Sequence, residues 1–170
     1  MTEWKPLSLH VPEPSGRPGG RPDFSRLAIP QVGKVRRPPV DVAAHDIYDL
    51  AYSIIRVLNR QGEAVGPWNP GLDADALKDG LRAMMTTRAF DARMMLAQRQ
   101  GKTSFYMQCT GEEAIACAFR TVLEPGDMNF PTYRQQGLLI AQGWPLVDLM
   151  CQIFSNEKDR LRGRQLPVLY

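Results

Sequence analysis

The stretch DADALKDGLRAMMTTRAFDARMMLAQRQG, running from Asp73 to Gly101, decides the fold class. Asp73 precedes a long run of helix-forming residues. It is a suitable N-cap, because its carboxylate can accept from the free N–H groups of a first turn. Gly101 is a suitable stop, because helices commonly end on a residue in the left-handed conformation that glycine adopts freely. Between them Leu77, Leu81, Met84, Met85, Ala89, Ala92, Met95 and Leu96 recur at three- and four-residue steps. That spacing predicts one amphipathic helix whose Met-rich stripe faces the core.

C-terminal to this helix, Thr103–Met107 reads as a short strand or extended link. Thr110 with Glu113 fits a capping box opening a helix to about Leu123. Glu124-Pro125-Gly126-Asp127 is a turn, and residues 128–131 are extended. Thr132 with Gln135 fits a second capping box, for a helix ending near Gly143. Pro145 suits the first turn of a further helix over Leu146–Phe154. Towards the N-terminus, Pro67-Trp68-Asn69-Pro70-Gly71 is a loop. Ile54, Ile55, Val57 and Leu58 have β character, and Asn59-Arg60-Gln61-Gly62 is a good turn, so a short hairpin is expected within 46–65.

Residues 1–40 hold eight of the fourteen prolines and cannot build a helix or a central strand. They read as an extended arm, and Trp4, Leu7, Leu9, Val11, Phe24 and Leu27 suggest that it lies along a partner surface rather than serving as a plain linker. The remaining residues, 41–170, read as one folded body. The arm carries seven Lys/Arg against three Asp/Glu, whereas residues 41–170 carry fourteen against fifteen. The basic excess therefore belongs to the arm, which argues against a nucleic-acid-binding domain.

No apolar run approaches the roughly 20 residues that span a bilayer, and residues 1–6 do not open a secretory signal. A bacterial cytoplasmic setting is the simplest reading. Cys109, Cys117 and Cys151 form no C-x-x-C pair and are odd in number. Buried thiols are expected, not a disulfide scaffold or a zinc site. Phosphate-loop, dinucleotide and H-E-x-x-H motifs are missing, and neither His10 nor His45 is an attractive general base.

Pro131-Thr132-Tyr133-Arg134-Gln135-Gln136 is the most informative local feature. With Thr132 as N-cap, Tyr133 and Arg134 would occupy a first helical turn. There, free N–H groups, the helix dipole and a guanidinium fork could converge on a phosphate or diphosphate. The alternative is an Arg paired with a nearby carboxylate such as Asp127. Ser104-Phe105-Tyr106-Met107 reads as a core strand or as a pocket wall. Lys158–Gln165 reads as a solvated charged loop or as one that closes over a ligand or meets a partner. Gln165–Tyr170 is apolar and strand-like, which suggests a chain cut where another element should begin.

Several motifs in register resemble the α subunit of the E1 component of branched-chain 2-oxoacid dehydrogenases. They are Gln98–Met107, Gly111-Glu112-Glu113-Ala114, Phe130-Pro131-Thr132-Tyr133-Arg134 and Gly163-Arg164-Gln165-Leu166-Pro167. The proline-rich arm and the helix from Asp73 resemble the bacterial members too. Gln136 and Gly137 stand where pyruvate-type relatives carry a His, which favours branched-chain 2-oxo acids.

The resemblance implies an α/β thiamine-diphosphate-binding fold, of which this N-terminal piece is mostly helical with a few short strands. It implies oxidative decarboxylation, in which the cofactor ylid adds to the 2-oxo carbon, carbon dioxide leaves, and the acyl group passes to the lipoyl domain of the E2 acyltransferase. The implied partner is an E1 β subunit in an α2β2 heterotetramer. Tyr133 and Arg134 map to the cofactor diphosphate; Phe105, with Tyr106 beside it, maps to the wall of the acyl pocket. No catalytic residue or metal ligand maps within these residues. A His that many relatives carry before the match to Tyr170 is Leu169 here. The Gly-Asp-Gly motif and Asn pair that hold Mg2+ are absent, so the Mg2+ ligands are expected beyond Tyr170.

Overall fold

The computed structural model describes residues 19–21 and 29–169. The residues on which the arm prediction turns, among them Trp4, Leu7 and Phe24, lie outside the described residues, as do His10 and Tyr170. The chain divides into two compact units, one up to Gly71 and one from Leu72.

In the first unit the expected hairpin shrinks to one antiparallel bridge, Leu58 to Ala64. Its turn is as expected. Asn59 Oδ1 accepts from the N–H groups of Gln61 and Glu63, at 3.0 and 2.9 Å, and so ties the turn to itself. Among the described residues no longer ladder forms, and Ile54, Ile55 and Leu58 remain 41–63% exposed. A 3-10 helix, Ala44–Tyr52, precedes the bridge; the sequence reading did not anticipate it. Gly66 lies against Gly33 so closely that a Cβ would stand 2.4 Å from the Gly33 Cα. Only glycine permits that approach.

The second unit is helical: α1 (Ala74–Arg99), α2 (Glu113–Val122), α3 (Gln136–Ala141) and α4 (Leu146–Ile153). α1 has the predicted ends. Asp73 Oδ1 accepts from Ala76 N–H at 2.8 Å. Gly101, at φ 70°, donates to Gln98 O, and Lys102 N–H donates to Ala97 O. Two terminal carbonyls are thereby satisfied in a Schellman arrangement.

The face that α1 buries is not the predicted one. Thr87, Phe90, Asp91, Met94 and Ala97 point inward, whereas Leu77, Leu81, Met85 and Leu96 are 45–65% exposed. Ala89 and Ala92 are exposed as well, and Met84 and Met95 are half-buried. At about 100° per residue the two sets face nearly opposite sides. Both sides carry apolar residues, so periodicity alone favours the wrong one. On the inward side the buried Asp91 finds partners in the interior, in Tyr106, Cys109 and Gln136.

The hydrophobic core gathers Phe90 and Met94 of α1, Leu139 and Ile140 of α3, and Leu149 and Ile153 of α4, with Tyr106 and Val168. α1, α2 and α3 pack pairwise on one another. Thr103–Met107 is not a strand. Its buried residues, continuing to Cys109, are Thr103, Tyr106 and Cys109, a three-residue step rather than the two-residue step of a strand. Thr103 Oγ1 donates to Ile153 O at 2.7 Å, which fastens the segment to α4.

Both predicted capping boxes need correction. α2 begins at Glu113 without a side-chain cap, and Glu113 accepts instead from Gly111 N–H at 2.8 Å. α3 begins at Gln136, later than expected, although Gln135 Oε1 does accept from Thr132 N–H at 2.8 Å. α4 matches its expected range to within one residue. The 158–165 segment is organised by Asp159, buried and accepting from Leu161 and Gly163 N–H groups, while its cations face outward. The run after Gln165 is a turn, not a strand. Gln152 holds it, its amide donating to Leu166 and Leu169 carbonyls and accepting from Val168 N–H. No helix of the described residues is long and apolar enough to cross a membrane.

Candidate functional site

The turn before α3 brings two of the singled-out residues together. Phe105 and Tyr133 meet edge to face, their ring centroids 5.6 Å apart. Such pairs contribute about 0.5–1.5 kcal/mol beyond area burial. Tyr106, next in sequence to Phe105, points the other way. It is buried, and its hydroxyl donates to Asp91 Oδ1 at 2.6 Å. The structure thus separates a half-buried Phe105 facing Tyr133 from a Tyr106 held in the core.

Arg134 follows Tyr133 in the same turn. Because α3 starts only at Gln136 and has six residues, Arg134 does not stand in a first helical turn. The helix-dipole argument for an anion therefore falls away. Arg134 Nη1 lies 3.7 Å from Glu112 Oε1, so its carboxylate neighbour is Glu112 and not Asp127. Asp127 instead accepts from Glu124 N–H across its own turn, at 2.8 Å. The Glu112 contact leaves part of the guanidinium fork free, since Arg134 Nε is buried and has no hydrogen-bond partner. A buried donor in that state is costly unless an acceptor meets it.

Arg134 lines a pocket of about 330 Å³ whose walls include Cys109, Ile115, Phe119, Met128 and Phe130. The pocket is apolar, with Arg134 and Glu112 as its charged members. Ile115, Phe119, Val122, Met128 and Phe130 also expose apolar side chains along α2 and the loop after it.

Beneath the turn lies a polar cluster that the sequence reading missed. Asp91 accepts from Tyr106 Oη, from Cys109 N–H at 2.8 Å and from Gln136 Nε2 at 3.0 Å. Gln136 also donates to Tyr106 Oη at 3.0 Å and Met107 O at 2.8 Å. Burial, then the Asp91 hydrogen bond, pushes the Tyr106 phenol well above its ordinary range. Burial first, and then the Asp91 charge, raises the Cys109 thiol to about 12. Cys109 is therefore protonated at neutral pH and is no nucleophile. The available signal was Asp91 lying between Phe90 and Met94, with Thr87 one turn before it.

A second missed pair is Arg88 and Glu113. Arg88 Nε donates to Glu113 Oε1 at 2.6 Å. That hydrogen bond, opposed by burial and aided by Gly111 N–H, lowers the Glu113 carboxyl to about 2. Arg88 is raised in turn by the same bond. All three cysteines are free. Among the described residues no group of three or more His, Cys, Asp or Glu side chains is placed to hold a metal.

A family model described as dehydrogenase E1 component matches residues 81–170, the region that holds all of these residues. The chain belongs to the dehydrogenase E1 component family. A second model, described as 2-oxoisovalerate dehydrogenase E1 alpha subunit N terminal, matches residues 5–45 and so covers much of the proline-rich arm. Within the E1 family the chain is 61% identical, over all 170 residues, to the 2-oxoisovalerate dehydrogenase subunit alpha of Pseudomonas aeruginosa. It spans 42% of that protein's length. The mitochondrial 2-oxoisovalerate dehydrogenase subunit alpha of Mus musculus is 36% identical over 118 residues, which are 69% of this chain and 27% of the mouse protein. The mitochondrial subunit alpha 2 of Arabidopsis thaliana is 44% identical over 87 residues, 51% of this chain and 18% of the plant protein.

Proposed function

We propose that the chain serves a thiamine-diphosphate-dependent oxidative decarboxylation of branched-chain 2-oxo acids, as part of an E1 α subunit. The acyl group would pass to the lipoyl domain of an E2 acyltransferase. The observation that carries this reading is the 61% identity, over every residue, to a 2-oxoisovalerate dehydrogenase subunit alpha. The same likeness supports the family's α/β thiamine-diphosphate-binding fold and a bacterial cytoplasmic setting for the whole protein.

The residues present fit a diphosphate. Arg134 has a buried Nε without an acceptor, and Tyr133 stands beside it with its ring set by Phe105. Arg134 would supply charge-assisted hydrogen bonds and Tyr133 a further donor. Phe105 would present its ring to the branched acyl chain. Tyr106, whose hydroxyl is already engaged by Asp91 and Gln136, would support that wall from behind. Thiamine diphosphate, when bound, supplies the nucleophilic carbon and the electron sink that decarboxylation of a 2-oxo acid needs. Magnesium would take its ligands from residues other than those described. The exposed apolar run from Ile115 to Phe130 supports a partner surface, for which the E1 β subunit of an α2β2 heterotetramer is the proposed occupant.

The test is activity of the chain within its full-length subunit, assembled with the β subunit, on 3-methyl-2-oxobutanoate and on pyruvate. Preference for the branched acid is expected; equal or better use of pyruvate would overturn the substrate assignment. Arg134→Ala is expected to raise the thiamine diphosphate concentration needed for half-maximal activity by at least an order of magnitude. An unchanged requirement would remove Arg134 from the diphosphate site.

A further inference from the structure

Asp91 is almost wholly buried, and among the described residues it has no ion pair. The side-chain hydrogen bonds that hold it all come from the two segments that carry the candidate site. Tyr106 Oη and Cys109 N–H belong to the segment bearing Phe105; Gln136 Nε2 belongs to the start of α3, three residues after Tyr133. The Gln136 side chain is fully buried, and its Oε1 has no partner. Its amide is thus held by its NH2 end, one hydrogen shared between Asp91 Oδ1 and Tyr106 Oη and the other on Met107 O. Removing the carboxylate would take away the shared acceptor of both segments.

We propose that Asp91 is a positioning residue: its carboxylate, shared by Tyr106, Cys109 and Gln136, sets the separation at which Phe105 meets Tyr133. The chemistry requires a carboxylate. Asp accepts on both oxygens, whereas Asn offers one accepting oxygen and turns an NH2 toward groups that themselves donate. The Cys109 N–H cannot rotate to accommodate that change. With Tyr106 released, its neighbour Phe105 loses its anchor one residue away. With Gln136 released, the turn carrying Tyr133 loses its buried side-chain tie to the segment bearing Phe105. The functional meaning of this role rests on the reading proposed above for Phe105 and Tyr133.

The experiment uses the full 170-residue chain with selectively protonated Phe and Tyr rings. It reads the Phe105–Tyr133 ring-to-ring nuclear Overhauser effect, which needs no cofactor. Asp91→Asn is expected to lose that cross-peak, and Tyr106→Phe, which deletes one hydrogen bond and keeps the ring, to weaken it. Leu149→Ala, a destabilising change in the same core that touches none of these hydrogen bonds, is expected to keep it. Where Asp91→Asn fails to fold, Tyr106→Phe decides. Full retention in the folded variants, or equal loss in Leu149→Ala, would overturn the proposal. In the assembled enzyme Tyr106→Phe is expected to raise the thiamine diphosphate requirement, and Leu149→Ala is not. A wild-type enzyme indifferent to thiamine diphosphate would refute the functional reading, while the ring contact would still decide the role of Asp91.

Discussion

In the first half of α1, Leu77, Leu81 and Met85 stand exposed, and the charged neighbours Asp75–Lys78 and Asp79–Arg82 pair with each other along the helix. In the second half, Phe90 and Met94 are buried beside an equally buried Asp91. The first half rests mostly on local interactions, a cap, two i,i+3 pairs and residue propensity, with Cys117 Sγ of α2 donating to Gly80 O. The second half rests on tertiary interactions, where apolar packing and a hydrogen-bonded carboxylate share one face. One helix therefore shows that apolar content does not decide which side turns inward. The side whose polar groups can be satisfied does.

The largest expected effect lies in the second half. Phe90→Ala should destabilise the chain by about 3–5 kcal/mol, read by urea unfolding, because it opens a cavity among Met94, Tyr106 and the α4 residues. A loss near that of a surface substitution would break the comparison.

An intermediate effect comes from the Arg88–Glu113 bond, which joins the second half to α2. Glu113 has a folded-state pKa of about 2, below its ordinary 4.5. Its contribution is therefore fully present above about pH 4.5 and is lost as pH falls toward 2. Glu113→Gln should be less stable than wild type at pH 7, and the gap in Tm should close on acidification. A gap independent of pH would show that Glu113 stabilises by packing alone.

The first half should respond to its cap. Asp73→Ala should cost about 1 kcal/mol, since Ala76 N–H loses its acceptor. Hydrogen exchange of the first-turn amides would sharpen the comparison by showing whether the loss stays local. The smallest effect belongs to Leu81→Ala, within about 0.5 kcal/mol for the chain by itself. A larger loss, measured in the same urea series, would mean that the first half is packed after all.

Much of the local architecture was legible in the sequence. Asp73 and Gly101 bound α1 because capping chemistry acts within a few residues and needs no distant partner. The Asn59 turn and the Pro145 helix start are legible for the same reason. The hairpin expected within 46–65 shrinks to a bridge, and the strand alternative for Thr103–Met107 fails, because a strand exists only when another strand pairs with it. At the candidate site, Tyr133, Arg134 and Phe105 could be singled out by motif. The Phe105–Tyr133 contact and the Glu112 neighbour of Arg134 could not.

The sequence by itself determined that the second unit is built on one long capped helix followed by short ones, and it carried the motifs of the E1 family. Tertiary structure alone decided which face of that helix is inside. An aspartate is by type mostly exposed, and Asp91 is buried because Tyr106, Cys109 and Gln136, distant along the chain, converge on its two oxygens. A buried carboxylate is tolerable only when those donors arrive together, and their arrival is a property of the folded chain.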